Sequence, residues 1–291
     1  MHTMNEIRRV AVVGAGLMGS GIAEVFACAG LDTVVCENGR DALRAARARI
    51  DCSLHRAVDR GRLSERQRTD AWAHLLFADD PEALADRQLV VEAVVEDERV
   101  KTEVLTTLDK VLVDEDAVLA TNTSAIPVTR LGITTGRASH VLGLHFFNPA
   151  PVMPLVELVT SLHTSPAVVG RVEDFAANVL GKHVVHSRDR AGFVVNALLV
   201  PYLLAAIRMA EAGHASPESI DAGMVHGCAH PMGPLALADL IGLDTVEAIA
   251  RSMYEEYKEP LYAPPPLLSR MVEAGLLGRK SGRGFHAHRT G

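Results

Sequence analysis

The stretch "VAVVGAGLMGSGIA", from Val10 to Ala23, limits what this chain can fold into more than any other. A β-branched run stops at Gly14. Gly14, Gly16 and Gly19 then give the spacing G-x-G-x-x-G ahead of an apolar helical pattern that ends in Gly30. A second β-branched run, "DTVVCE", carries the acidic Glu37 at its end. A glycine triplet alone is a weak signal. Set between strand and helix, with an acidic residue about 20 positions on, it has the full context of a dinucleotide-binding fingerprint. Gly14 permits the tight turn, and Gly16 lets backbone approach a pyrophosphate at the helix N-terminus, beside Leu17 and Met18. Gly19 lets helix and strand pack closely. Glu37 is expected on the ribose hydroxyls, where a carboxylate repels a 2′-phosphate. NAD is therefore expected over NADP, with Arg40 near enough to soften the preference and leave NADP as the alternative.

The rest of the first two-thirds of the chain alternates strand-like and helix-like segments. "LLFADD", "LVVEAVVE", "AVLATNTS", "HVLGLHFF" and "PLVELV" read as strands, and "VKTEVLTTLDKVL" as a helix. Such alternation implies parallel βαβ units in a doubly wound sheet. Between Arg40 and Ala73 two charged, alanine-rich helical patterns meet at Gly61, longer than a plain crossover needs, and read as an inserted helical hairpin. After "KHVVHSRDR" no good strand pattern remains. "AGFVVNALLVPYLLAAIRMAEAG" predicts a long helix kinked at Pro201, and "PLALADLIGLDTVEAIARSMYEEY" one or two more. The expected fold class is α/β, a Rossmann-type doubly wound sheet with an inserted hairpin over residues 1–188. An all-α domain is expected over 189–291.

Composition narrows the function classes. The chain has 291 residues, 48% of them apolar and only 4% aromatic, so its cores must be aliphatic and alanine-rich. A formal net charge of −7 argues against a general nucleic-acid or anionic-membrane binder. "MHTMNEIRRVAVVG" does not read as a signal peptide, and no apolar run is long enough for a membrane span. Cys28, Cys36, Cys52 and Cys228 form no C-x-x-C pair, which reads as a reduced, cytoplasmic setting. In "HGCAH", His226 and His230 lie one helical turn apart around Cys228. No second ligand cluster accompanies them, so the favoured reading is a helix end stopped by Pro231, and no metal is expected.

A second signal is "GLHFFNPAPVMPLVELV", which sets His145 and Glu157 inside two apolar runs. Burying either group costs free energy unless something pairs with it. The strand period of two puts Leu142, Leu144 and Phe146 on one face and His145 on the other. Adjacent strands would bring His145 and Glu157 together. A buried carboxylate beside a histidine fixes its tautomer and stabilises the imidazolium, the orienting logic of a catalytic dyad without a serine nucleophile. Beside a nicotinamide cofactor, such a base implies hydride chemistry on an alcohol. The bland alternative is a structural ion pair.

"VAVVGAGLMGSGIA", "VVEAVVEDERVK", "LATNTSAIPV", "GLHFFNPAPVMPLVELV", "GFVVNALLVPYL", "HPMGPLALADLIGLDT" and "PPPLLSRMVEAGLLGRKSGRGF" stand in order along nearly the whole chain. In these motifs the chain resembles the 3-hydroxyacyl-CoA dehydrogenase family, and within it the short bacterial 3-hydroxybutyryl-CoA members. The resemblance implies reversible NAD-linked oxidation of an (S)-3-hydroxyacyl-CoA, and a homodimer formed through the helical domain. It implies His145 as the catalytic base and Glu157 as its partner. Ser124 and Asn196 would bind the substrate oxygen, Ser124 close to the nicotinamide. Asn148, Glu96 and Lys101 match cofactor-side positions. Ser53 and Arg60, on the hairpin, fall where the family contacts coenzyme A.

Each assignment has a plainer rival. Ser124 could cap a helix, Asn196 could make a structural hydrogen bond, and Ser53 and Arg60 could simply be solvated. Two departures stand out: His286 replaces a usual tyrosine, which is expected to matter for packing or the dimer edge, and Glu37 replaces a more common aspartate. Rival functions are a same-fold dehydrogenase acting on a carrier-protein thioester or a free hydroxy acid, and a non-catalytic, crystallin-like NAD-binding protein.

Overall fold

The computed structural model describes residues 6–288. The chain divides into two compact units, Met1–Arg190 and Ala191–Gly291.

The first unit is built on one eight-stranded sheet. In chain order its strands are β1 (Arg9–Val13), β2 (Asp32–Cys36), β3 (Leu75–Ala78), β4 (Leu89–Glu92), β5 (Val118–Thr121), β6 (Val141–Phe146), β7 (Leu155–Thr160) and β8 (His183–Arg188). Its helices are α1 (Leu17–Cys28), α2 (Arg40–Asp59), α3 (Glu65–Ala73), α4 (Glu98–Val111), α5 (Val128–Gly132) and α6 (Pro166–Asp174). The spatial strand order is β3-β2-β1-β4-β5-β6-β7-β8. Every neighbouring pair is parallel except β6 and β7. The order reverses at β1, which pairs β2 on one side and β4 on the other. Open α/β sheets bind ligands outside the carboxyl ends of the strands at such a switch point. β4, β5 and β6 are buried at every position, as expected of central strands covered on both faces. In the core Phe26 stacks edge-on against Phe146 and Phe175, at centroid distances of 6.4 and 5.8 Å.

The glycines do what their spacing predicts. A Cβ on Gly14, whose φ is +86°, would lie 2.7 Å from Val94 N, and one on Gly19 would lie 1.8 Å from Gly14 O. The inserted hairpin is present as α2 and α3. Gly61 turns between them at φ +67°, and Ser64 and Gln67 form a reciprocal capping box.

Several expected strands are shorter than their apolar runs. "LVVEAVVE" ends as a strand at Glu92: Ala93 N still donates to Val13 O, and the backbone of Ala93 and Val94 then passes close to Gly14. "AVLATNTS" stops at Thr121, where Asn122 N donates to Glu92 O. The parallel βαβ units of the doubly wound sheet end at β6, and β7 pairs with it antiparallel. The short link Phe147–Pro154 returns the chain beside β6, and too few residues intervene for a crossover helix. Helix α6 and strand β8 have no counterpart in the sequence reading. β8 alternates too weakly to stand out, with only Ser187 buried.

The second unit is helical: α7 (Val195–Glu211), α8 (Pro217–Cys228), α9 (Pro234–Ile241), α10 (Leu243–Tyr257) and α11 (Pro266–Glu273). Its core gathers Leu203, Leu204, Leu235, Leu243, Met253 and Leu268. Helix α7 starts at Val195 rather than Ala191, because Gly192 and Phe193 take left-handed backbone at φ 82° and 47°. Pro201 lies inside it. Gly242, at φ +103°, splits the "PLALADLIGLDT" pattern into α9 and α10. Left-handed Ala229 ends α8 within "HGCAH", and the His230 ring meets the Tyr202 hydroxyl at 3.1 Å. Among the described residues no group of three or more His, Cys, Asp or Glu is placed to hold a metal ion. No helix among them is long and apolar enough to cross a membrane.

Two buried aspartates tie this unit together. Asp221, on α8, accepts hydrogen bonds from Leu235 N and Ala236 N and so caps the N-terminus of α9 from a neighbouring helix. Asp239, 1% exposed, accepts from Phe285 N and His286 N, and the His288 ring lies 2.8 Å away. His286, in place of the family's usual tyrosine, sets its Nε2 2.7 Å from Asp221 Oδ2. The departure noted in the sequence therefore bears on packing within this unit.

Two stability predictions follow from these contacts. Asp239→Ala strands several donors at about 1–3 kcal/mol each, so the urea midpoint should fall by the equivalent of about 3 kcal/mol or more. Gly19→Ala drives a methyl into Gly14 O. Its thermal midpoint should drop by an amount matching an overpacking cost of about 1–3 kcal/mol or beyond.

Candidate active site

The elements around the switch point bring the expected residues to one edge of the sheet. Gly14 follows β1, Glu37 follows β2, Glu96 follows β4, Ser124 follows β5, and His145 is the fifth of six residues in β6. All stand at the carboxyl ends of parallel strands. β7 runs the other way, and its register sets Glu157 directly opposite His145. His145 Nδ1 lies 2.8 Å from Glu157 Oε2. His145 is 5% exposed and Glu157 fully buried. An ionised carboxylate only accepts, so Nδ1 carries the proton and donates to it, and Nε2 is left as an acceptor. Ser124 Oγ lies 3.4 Å from that Nε2. Phe147 stands edge-on to the imidazole at a centroid distance of 4.7 Å.

Ser124 is not a helix cap. Helix α5 begins after Pro127 with no side-chain cap from its N-cap residue, and within the loop Thr123 Oγ1 accepts from Ile126 N at 2.9 Å. The loop is held by Glu96, whose Oε1 accepts from Thr123 Oγ1, Ser124 N and Ala125 N at 2.5, 2.8 and 3.1 Å. Lys101 is 1% exposed. Its ammonium lies 2.8 Å from Glu92 Oε1 and 3.2 Å from Glu96 Oε2, so what it holds in place is Glu96. Glu92, fully buried, also accepts from Thr121 Oγ1 at 2.7 Å and Val94 N at 2.7 Å. The sequence reading missed Glu92, Thr121, Asn122 and Thr123. Asn122 Oδ1 accepts from Phe146 N at 2.8 Å, pinning the end of β6 next to His145. A charged residue inside an apolar run, the signal that exposed His145, was available for Glu92 as well.

At the fingerprint, Gly16 is exposed and a Cβ there would meet nothing within 4 Å. It caps α1, where Leu17 is 67% exposed and Met18 packs on the core. Glu37 Oε1 accepts from Ala15 N at 2.6 Å, so its carboxylate closes back on the glycine loop. Arg49, on α2, also reaches this loop and donates to Ala15 O; nothing in its charged helical surroundings marks it. Arg40 is exposed at the start of α2. Burial pushes the Cys36 thiol beside Glu37 up to about 11.

Ser53 and Arg60 line a cavity of about 600 Å³, together with Glu24, Arg56, Asn148 and Lys182. Asn148 thus stands in the wall shared with the hairpin. Asn196 belongs to the second unit, where it lies in the first turn of α7, 8% exposed.

Comparison with known proteins places the whole chain beside one family. The family model described as the 3-hydroxyacyl-CoA dehydrogenase NAD binding domain matches residues 9–190. The model of the family's C-terminal domain matches residues 192–288. A 3-hydroxybutyryl-CoA dehydrogenase of Mycobacterium tuberculosis is 59% identical over 97% of this chain and 99% of its own. The crystal structure of FadB2 from M. tuberculosis superposes with a TM-score of 0.97 at 58% identity, over 98% of this chain and 100% of that one. The structure of (S)-3-hydroxybutyryl-CoA dehydrogenase PaaH1 from Ralstonia eutropha gives 0.92 at 41%, with the same coverage. With both of its domain models matched and relatives alike end to end, the chain belongs to the 3-hydroxyacyl-CoA dehydrogenase family.

Proposed function

We propose that this protein catalyses the reversible, NAD-linked oxidation of (S)-3-hydroxybutyryl-CoA, or another short (S)-3-hydroxyacyl-CoA, to the 3-ketoacyl-CoA. The observation that carries the reading is the buried His145–Glu157 pair with the Ser124 hydroxyl 3.4 Å from the ring's second nitrogen. That hydroxyl stands at the carboxyl ends of the parallel strands, where open α/β sheets bind ligands.

The cofactor site is supported by an exposed Gly16 with room about it, by the free N-terminus of α1, and by Glu37 at the loop. When bound, the dinucleotide supplies the hydride acceptor and donor. The protein's own part is proton transfer and orientation. His145 Nε2 takes the proton of the 3-hydroxyl. Glu157 holds the ring by Nδ1 and balances the charge it gains. The Ser124 hydroxyl hydrogen-bonds the same substrate oxygen, and Glu96, braced by Lys101, keeps the Ser124 loop in place. In the reductive direction the protonated ring returns its proton to the developing alkoxide. Asn196 takes the substrate-oxygen contact that its motif position implies. Ser53 and Arg60 bind the coenzyme A moiety, Arg60 supplying charge for a phosphate.

Glu37 favours NAD over NADP, since a 2′-phosphate would meet its carboxylate. A homodimer through the second unit is supported by large apolar side chains left exposed on its helices, Leu198, Met209 and Leu240. A reducing, cytoplasmic setting is supported by four cysteines that all stand as free thiols.

His145→Gln should lower kcat for acetoacetyl-CoA reduction by about 10²–10⁴-fold while NADH still binds, as read by fluorescence titration. Near-normal turnover would overturn the assignment of the base. Gly16→Ala should keep the wild-type melting temperature yet raise the KM for NADH, since a methyl there meets only the incoming cofactor. Steady-state assays with NADH and NADPH should give the higher kcat/KM to NADH, and Glu37→Ser should narrow the ratio.

A further inference from the structure

The cavity lined by Ser53 and Arg60 holds a feature that the reaction above does not use. Glu24, on α1, lines the cavity with 2% of its surface exposed. Its Oε2 has no hydrogen-bond partner. The Ser53 hydroxyl bonds the same carboxyl. Buried polar atoms in native proteins are nearly always partnered, and a buried carboxyl oxygen left alone is costly. An orphan in the wall of a cavity marks a place where a ligand atom completes the hydrogen bonding.

The charges around Glu24 say in which form it would do so. Helix α2 presents Arg49 and Arg56, the turn after it Arg60 and Arg62, and the chain beyond β7 Lys182. Arg49 is engaged with Ala15 O, and Lys182 with Ala150 O and Met153 O. On α1 itself, burial pushes the Cys28 thiol up to about 11, so it is neutral throughout the useful pH range. Among the described residues no histidine lines the cavity. The arginines suit an anionic ligand, and a carboxylate facing that ligand would repel it. A carboxylic acid would instead donate a hydrogen bond. Burial acts in the same sense, raising the Glu24 pKa above the ordinary carboxyl value against the Ser53 bond and the charges of Arg56 and Arg62.

We propose that Glu24 is a specificity-determining residue of this cavity: it binds the coenzyme A moiety as the neutral acid, Oε2–H donating to a ligand acceptor, so that binding takes up a proton. The inference rests on the reading of this cavity as the coenzyme A site. Affinity is full where Glu24 is already protonated in the free protein. It falls as pH rises through the window between the free-state and bound-state pKa, with a limit of about tenfold per pH unit for one proton.

Calorimetric titration of the full-length protein with free coenzyme A tests this, in buffers of different ionisation enthalpy and from mildly acidic to mildly alkaline pH. The wild type should take up more protons on binding than Glu24→Gln, which keeps the shape and a donor but cannot titrate. The variant should also lose most of the pH dependence of Kd. Glu24→Leu supplies the same comparison if the amide variant does not fold. Arg60→Ala should bind several-fold more weakly at every pH yet keep the extra proton uptake. Equal proton uptake by wild type and both Glu24 variants would overturn the role of Glu24 while leaving the cavity assignment standing. Unchanged coenzyme A affinity in Arg60→Ala would instead overturn the cavity assignment, and the inference with it.

Discussion

A fully buried carboxylate at Glu157 has to be answered inside the protein, and His145 answers it across a 2.8 Å hydrogen bond. An unpaired charge in that position would cost several kcal/mol. The pairing requires β7 to lie antiparallel beside β6 in the register that sets the two residues face to face. That register requires a short return over Phe147–Pro154, and it makes β6–β7 the antiparallel junction of the sheet, with β7 and β8 running opposite to the other six strands. The chemistry and the topology are thus one constraint. The ring is oriented because the strand reverses, and the reversed strand tolerates its buried charge because the ring is there.

A related device recurs elsewhere in the molecule: an acid, buried in each case but the exposed Glu96, that gathers several donors. Glu92 joins β4 to Thr121, Val94 and Lys101. Glu96 gathers three donors from the Ser124 loop. Asp221 and Asp239 do so in the helical unit. With aromatics at only 4% of the chain, large rings cannot lock many segments together, and directional hydrogen bonds to carboxylates supply that specificity. Removing such an acid strands several donors at once, whereas removing one donor strands only one.

Much of the fold is legible from local pattern. Gly14, Gly16 and Gly19 announce strand, turn and helix because each answers a steric demand that only glycine meets. The hairpin shows in its charge pattern and in Gly61. What local pattern misreads is where strands end. "LVVEAVVE" is apolar to Val95, yet β4 stops at Glu92, because pairing depends on what the neighbouring strands offer and hydrophobicity does not report it. Helix α7 likewise begins late, at a left-handed Gly192–Phe193 step that a helical apolar pattern runs straight through.

For the site, a chargeable residue in an apolar run was enough to find His145 and Glu157, and motif position added Ser124. Asn122, Thr123 and Glu92 escaped because polar residues at strand ends are common, and their partners lie as much as 29 positions away in sequence. Sequence by itself determined the fold class, the glycine-rich loop between β1 and α1, and the presence of His145 and Glu157 inside apolar runs, since all rest on local sterics and on the cost of burying charge. Only the tertiary structure decided that Glu157 reaches His145, that Lys101 acts through Glu96 and that Glu24 is left with an unanswered oxygen in a cavity. Each of these is set by how strands, loops and helices pack, which local pattern does not report.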